Sequence, residues 1–197
     1  MGLDSVELLI NIEKHFDISI PDPEAAKIST LQDFADCVYQ KVKINPTEVC
    51  KSSVLFYKLR IYFHTQFGIS KQAIYPEQRI SQLIATSDLH KVWRSIEQDF
   101  NLRLPELTSF DLNPEKVNMK ILGVEIFRRR KTLTSGTMRD LIQWILALNH
   151  AKFIDVNNLC SKHDIESIII GMVSESVGIP VNELRLKQSI INDLGID

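Results

Sequence analysis

Apolar residues recur every three or four positions along most of the chain, a period that predicts amphipathic helices. The first such stripe consists of Leu8, Leu9, Ile12 and Phe16. It predicts a helix from about Ser5 to Phe16. Asp4 and Glu7 lie three residues apart just before the stripe, which is the spacing of a capping box at a helix N-terminus. We therefore expect an exposed Ser5 hydroxyl at the first turn, where free N–H groups and the helix dipole favour a bound phosphate.

Similar stripes predict further helices over about 31–42, 53–67, 138–149 and 165–177, and one that ends near residue 100. Thr30 or Ser29 can cap the helix that starts at about residue 31. Gly68 and Gly178 stand where two of the helices end. The segment 117–127 has the composition of a strand or hairpin. The chain is therefore expected to be all-α, with one small β insertion.

Three stretches near the N-terminus together resemble a known family. Gly2-Leu3-Asp4-Ser5-Val6-Glu7-Leu8 is similar to the attachment motif of acyl and peptidyl carrier proteins. The stretch 16–22 resembles the end of the second helix of that family, and 28–34 resembles the entry to its last helix. The resemblance implies that Ser5, preceded by Asp4, carries 4'-phosphopantetheine through a phosphodiester. The alternative for Ser5 is a plain helix-capping serine.

The first helix of a carrier protein has no counterpart before Ser5, but a candidate lies at the other end of the chain. Residues 164–197 resemble the family's first helix and the loop after it, and both chain ends carry a Gly-apolar-Asp tripeptide. We interpret the chain as a circularly permuted carrier, a four-helix bundle formed from both chain ends. The alternative is a swapped homodimer in which each chain supplies one half.

The middle of the chain repeats parts of this pattern. Residues 69–80 match 179–190 at a spacing of 110, and 100–106 match 16–22 at a spacing of 84. At the second spacing Leu89 takes the place of Ser5, with Ser87 as the competing alignment. This pattern predicts a degenerate carrier-like helical domain that has lost the attachment serine.

Charge divides the chain in the same way. Residues 1–45 and 156–197 carry a balance of −7, whereas residues 46–155 carry +5. We therefore predict a permuted carrier domain from 1–45 together with 156–197, and an inner domain over 46–155. The basic run 128–131 could be a solvated loop, a contact with the acidic domain, a site for a coenzyme A phosphate or, least in keeping with an acidic chain, a nucleic-acid contact.

Other chemistry finds little support. The three cysteines lack a C-x-x-C pairing, and the five histidines lack ligand-spaced partners, so no disulfide frame or metal site is expected. No catalytic motif is present, no membrane or nucleic-acid partner is indicated, and a cytoplasmic protein that is not an enzyme is predicted.

The resemblance implies two functions. In the first, a phosphopantetheinyl transferase modifies Ser5, and the arm holds an acyl or aminoacyl thioester for loading and condensing enzymes of fatty-acid, polyketide or nonribosomal-peptide synthesis. Glu7, Glu13 and Asp17 would then face those enzymes, the alternative being a solvated polar surface. In the second, the chain keeps the carrier fold but only docks onto a biosynthetic enzyme or another carrier.

Overall fold

The computed structural model describes residues 3–112 and 132–196. Its α-helices are α1 (Leu3–Phe16), α2 (Asp22–Ala25), α3 (Leu31–Lys41), α4 (Lys51–Phe67), α5 (Ile80–Leu83), α6 (Leu89–Phe100), α7 (Ser109–Leu112), α8 (Met138–Leu148), α9 (His150–Phe153) and α10 (Lys162–Val177). Within these two ranges there is no β-strand, and the all-α prediction is confirmed. The predicted strand or hairpin at 117–127 and the basic run at 128–131 lie outside the described residues.

The chain forms two compact units. The terminal unit consists of Met1–Ser53 and Leu146–Asp197, and the central unit consists of Val54–Ile145. None of the helices over 3–112 and 132–196 combines the length and the apolar character needed to cross a bilayer.

The core of the terminal unit joins the two ends of the chain. Buried residues of α1 and α3 pack with those of α10 and of the loop that follows α10, which forms the predicted bundle from both chain ends. The main contributors are Leu8, Ile12, Phe16, Leu31, Phe34, Val38, Ile165, Ile168, Ile169, Val173, Leu184, Ile190 and Ile196. Because these side chains lose nearly all contact with water, their burial is the main source of stability of this unit.

Backbone hydrogen bonds fix the loop after α10 against the start of α3. Ile190 N donates to Ser29 O at 2.9 Å, and Gln32 N donates to Leu186 O at 2.7 Å. Gly178 ends α10 in the left-handed conformation, with φ 70°, as its position in the sequence predicts.

The central unit contains α4 to α7 and most of α8. Its buried apolar residues come from all its long helices: Leu55, Leu59, Phe63, Ile80, Leu89, Val92, Ile96, Leu141, Ile142 and Ile145. Ile80 N donates to Gly136 O at 2.9 Å, and Arg139 N donates to Pro76 O at 2.8 Å. A loop is thus fixed against the start of α8 by the same kind of bonds that fix the other loop against α3.

The two units share their less common backbone features at constant spacings. Gly68 and Gly178, 110 residues apart, have φ of 67° and 70°. Asp17 and Asn101, 84 residues apart, both have φ of 51° and are the non-glycine residues with positive φ in the described ranges. Both follow directly after the last residue of a helix, α1 and α6 respectively.

A capping box also occurs at the same place in each unit. Thr30 N donates to Asp33 at 2.8 Å and Asp33 N donates to the Thr30 hydroxyl at 3.2 Å. Thr137 and Asp140 make the same two bonds at the same two distances at the start of α8. The prediction that Thr30 or Ser29 caps the helix is confirmed, with Thr30 as the N-cap residue.

We expect Thr30→Ala and Thr137→Ala to destabilise the protein by similar amounts, about 1 kcal/mol each, because each removes one acceptor for a free helix N–H. Urea denaturation followed by circular dichroism measures both. Thr86→Ala, at an exposed position, is the matched control and should stay within about 0.5 kcal/mol. Losses no larger than the control value would contradict the role of the capping boxes.

The Thr30→Ala effect should also depend on pH. Partial burial raises the pKa of Asp33, but hydrogen bonds from Ser29 and Thr30 outweigh it and hold that pKa below its ordinary value. A lowered pKa contributes stability above the pKa of the unfolded chain, and this contribution is lost as the pH falls through the folded value. The destabilisation by Thr30→Ala should therefore shrink below about pH 4.

Candidate functional site

Ser5 lies in the first turn of α1, but its side chain is only 2% exposed. The expectation of an exposed hydroxyl is therefore wrong. The physical reason is helical periodicity, since Ser5 stands three and four residues before the buried Leu8 and Leu9 and so shares their face. The same apolar stripe that predicts α1, extended backward by one turn, would have predicted the burial of Ser5.

The predicted cap of α1 is also wrong. The helix starts at Leu3, one residue before Asp4, so Asp4 lies inside the first turn and is not the N-cap residue. Its carboxylate still lies near the positive end of the helix dipole, which is a favourable place for it. Asp4 and Glu7 are both exposed.

A groove of about 900 Å³ lies beside the first turns of α1. Its walls come from α1, α10 and the stretch 194–196. The polar and charged lining residues are Asp4, Glu7, Asn11, Lys14, His15, Glu175 and Ser176, and the apolar ones are Leu8, Met172, Val177, Leu194 and Ile196. We call this the α1–α10 groove. Because Asp4 lines it, the groove begins next to Ser5 in the chain.

The other two predicted docking residues differ in their surroundings. Glu13 is half-buried, and its carboxylate accepts a hydrogen bond from Ile20 N at 2.6 Å. This bond holds the turn after α1, a structural role that its sequence position did not indicate. Asp17 is exposed and takes the left-handed conformation at the end of α1. The structure therefore leaves Glu7 and Asp17 open to solvent and engages Glu13.

Two histidines that the sequence reading treats as scattered come together in the terminal unit. The rings of His15 and His150 lie 5.8 Å apart. Burial and the charge of His150 lower the pKa of His15. His150 is itself buried, and its Nδ1 lies 2.9 Å from Ala147 O, the distance of an N–H donor to a carbonyl. No group of three or more side chains suited to hold a metal ion occurs in 3–112 and 132–196.

The position equivalent to Ser5 in the central unit, at the spacing of 84, is Leu89. Leu89 is the first residue of α6 and is fully buried. Ser87, the competing alignment, is exposed in the preceding turn. A leucine in the core offers no group to which an arm could be attached.

Comparison with curated proteins finds a partial similarity to acyl carrier proteins. A stretch of 41 residues is 50% identical to the acyl carrier protein of Thermosynechococcus vestitus and covers 21% of this chain and 51% of that protein. The acyl carrier protein of Chlorobium phaeobacteroides is 49% identical over 40 residues, covering 20% of this chain and 51% of the relative. That of Porphyromonas gingivalis is 46% identical over 42 residues, covering 21% and 54%.

This similarity is limited in extent. The chain spans about half the length of the curated relatives it matches. No protein-family model and no solved structure matches the chain. The chain thus contains a region similar to acyl carrier proteins, and this partial match supports a carrier role.

Proposed function

We propose that the terminal unit is an acyl or aminoacyl carrier that bears 4'-phosphopantetheine on Ser5. A transferase would join the Ser5 oxygen to the arm's phosphate, with release of the nucleotide part of coenzyme A. The terminal thiol of the arm would then hold a thioester for loading and condensing enzymes. The observation that carries the proposal is the partial match to acyl carrier proteins, together with the Gly-Leu-Asp-Ser motif at the start of α1.

A circular permutation accounts for the limited length of the match. A linear comparison can follow one of two displaced halves at a time, and 41 aligned residues are 51% of the relative. In the terminal unit α10 packs against α1 and α3, although it follows them in the chain. In the described single chain both ends contribute to one core, so closure needs no second chain. A swapped homodimer is the alternative, and sedimentation equilibrium distinguishes the two.

We also propose that the central unit is a degenerate copy of the carrier. Three kinds of feature support this: the glycines that end α4 and α10, the positive-φ residues after α1 and α6, and the paired capping boxes. Each recurs at a constant spacing. The domain boundaries proposed from charge, 1–45 with 156–197 and 46–155, belong to the same proposal.

The burial of Ser5 adds a requirement. At 2% exposure the hydroxyl cannot meet the phosphate of coenzyme A in the folded helix, so transfer requires the first turn of α1 to open. Helix ends open at low free-energy cost compared with the core. The exposed Asp4 and Glu7 beside Ser5 provide a negative surface for the transferase and for later partners, with Asp17 at the far end of α1.

Incubation with coenzyme A and a broad-specificity phosphopantetheinyl transferase tests the proposal. Intact-protein mass spectrometry should show one added phosphopantetheine, and Ser5→Ala should remove this gain completely. Ser87→Ala is the matched control, because Ser87 is the competing serine of the central unit, and it should keep the full gain. No gain in the native chain, or a gain that survives Ser5→Ala, would overturn the assignment.

The burial of Ser5 favours a second candidate function, a non-carrier interaction protein. Such a protein would keep the fold and dock onto a biosynthetic enzyme or another carrier without an arm. Its signature is the absence of a mass gain together with binding to a condensing enzyme that Ser5→Ala leaves unchanged.

A further inference from the structure

The central unit contains a cavity of about 390 Å³. It lies between α4, α6 and the stretch 83–88, all within Val54–Ile145. Its large apolar lining residues are Phe63, Phe67, Ile69, Leu83, Ile84 and Val92, and the others are Ala85, Asp88 and Lys91. A volume of this size and a mostly apolar wall with few polar groups are typical of small-molecule sites.

This cavity corresponds in position to the α1–α10 groove. At the spacing of 110 residues Phe67, Ile84 and Ala85 stand where Val177, Leu194 and Gly195 line the groove, and at the spacing of 84 residues Asp88, Lys91 and Val92 stand where Asp4, Glu7 and Leu8 do. The two units therefore have a recess at the same place in their shared pattern. Its chemistry differs between them.

Two substitutions change what the recess can hold. The bulky ring of Phe67 stands where the groove has Val177, and the central cavity is smaller and largely apolar. Lys91 stands where the groove has Glu7, so the charge at that point of the rim is reversed. Since Leu89 replaces Ser5, a ligand in the central unit cannot be tethered at that position and must bind without a covalent bond.

We propose that the central cavity binds an unbranched aliphatic chain with an anionic head group, the chemical class of free fatty acids. The chain would lie against the apolar walls, where its burial is favourable in proportion to the area removed from water. The head would lie at the rim beside Lys91, which is the cation among the lining residues and is exposed. The carboxylate of Asp88 also lines the cavity, but Asp88 is the N-cap of α6, where the helix dipole offsets its charge.

Titration of the full chain with sodium decanoate, below its aggregation concentration, tests this inference. Methyl NMR signals of Ile84 and Val92 should shift in a saturable way with one equivalent bound. Decyltrimethylammonium, with the same chain length and the opposite charge, should bind more weakly. Ala85→Phe should reduce decanoate affinity more than ten-fold, because Ala85 is exposed at the rim and a ring there would fill the cavity without disturbing the core.

Two charge reversals separate a specific head-group contact from general attraction. Lys91→Glu should weaken decanoate binding by a factor of about three, the size of a solvent-exposed ion pair. Lys58→Glu changes the net charge equally at an exposed position that does not line the cavity, and it should leave the affinity unchanged.

Absence of saturable binding, or binding that Ala85→Phe leaves intact, would overturn the site. Equal affinity for the two amphiphiles would overturn the anionic head. None of these outcomes depends on Ser5, so they are independent of the mass-gain test of the carrier function.

Discussion

Gly171→Ala is expected to destabilise the terminal unit by about 3 kcal/mol. A Cβ at this position of α10 would lie 2.3 Å from Ala147 O and 2.5 Å from His150 Nδ1, both far inside normal contact. These two atoms form the hydrogen bond that satisfies the buried imidazole, at 2.9 Å. The methyl group must therefore either displace α9 or break that bond.

The expected size follows from three opposing effects. Overpacking of a close-packed core costs about 1–3 kcal/mol. A buried polar group left without its partner costs about 1–3 kcal/mol more. The higher helix propensity of alanine returns about 1 kcal/mol. The loss thus exceeds what the helix gains.

Urea denaturation of Gly171→Ala beside Ser176→Ala measures this effect. Ser176 is exposed on the same helix, so its substitution should change the free energy of unfolding by less than about 0.5 kcal/mol. A Gly171→Ala variant as stable as the native chain would show that α9 and α10 do not approach each other as described.

Helical periodicity predicts the long helices well because each of them buries one apolar face. The end of α10 at Gly178 and the cap of α3 by Thr30 could be predicted as well, since a glycine and a threonine act through their own backbone and side chain. The start of α1 is less predictable. Leu3 precedes the acidic residue that the capping-box pattern selects, and a pattern of side chains does not define where helical backbone begins.

The candidate site shows where a one-dimensional pattern stops being sufficient. The motif around Ser5 indicates a modification site, but burial of the hydroxyl follows from the helical face it shares with Leu8. The bond from Ile20 N to Glu13 could not be read from spacing, since seven residues separate the two across a turn. The contact between His15 and His150 depends on bringing the two chain ends together. Gly171 gave an earlier signal, since a glycine inside an apolar helical stripe often marks a close approach.

The two units offer a direct test of what distinguishes a carrier from its degenerate copy. Leu89→Ser places a hydroxyl at the central position equivalent to Ser5. Leu89 is fully buried, so loss of its side chain together with burial of a hydroxyl should destabilise the central unit by about 3–4 kcal/mol. Unfolding measured in urea should show this loss, whereas His90→Ser, at the exposed neighbouring position of α6, should stay within about 0.5 kcal/mol.

The same variant should remain unmodified. In a Ser5→Ala background, Leu89→Ser treated with coenzyme A and the transferase is expected to gain no phosphopantetheine mass. The hydroxyl alone is insufficient, because the glycine that precedes Ser5 by three residues is Thr86 at the equivalent central position, and Lys91 presents a positive charge where Glu7 presents a negative one. A mass gain on Leu89→Ser would instead show that one side chain separates the two units in function, and a loss of stability below about 1 kcal/mol would place residue 89 outside the core.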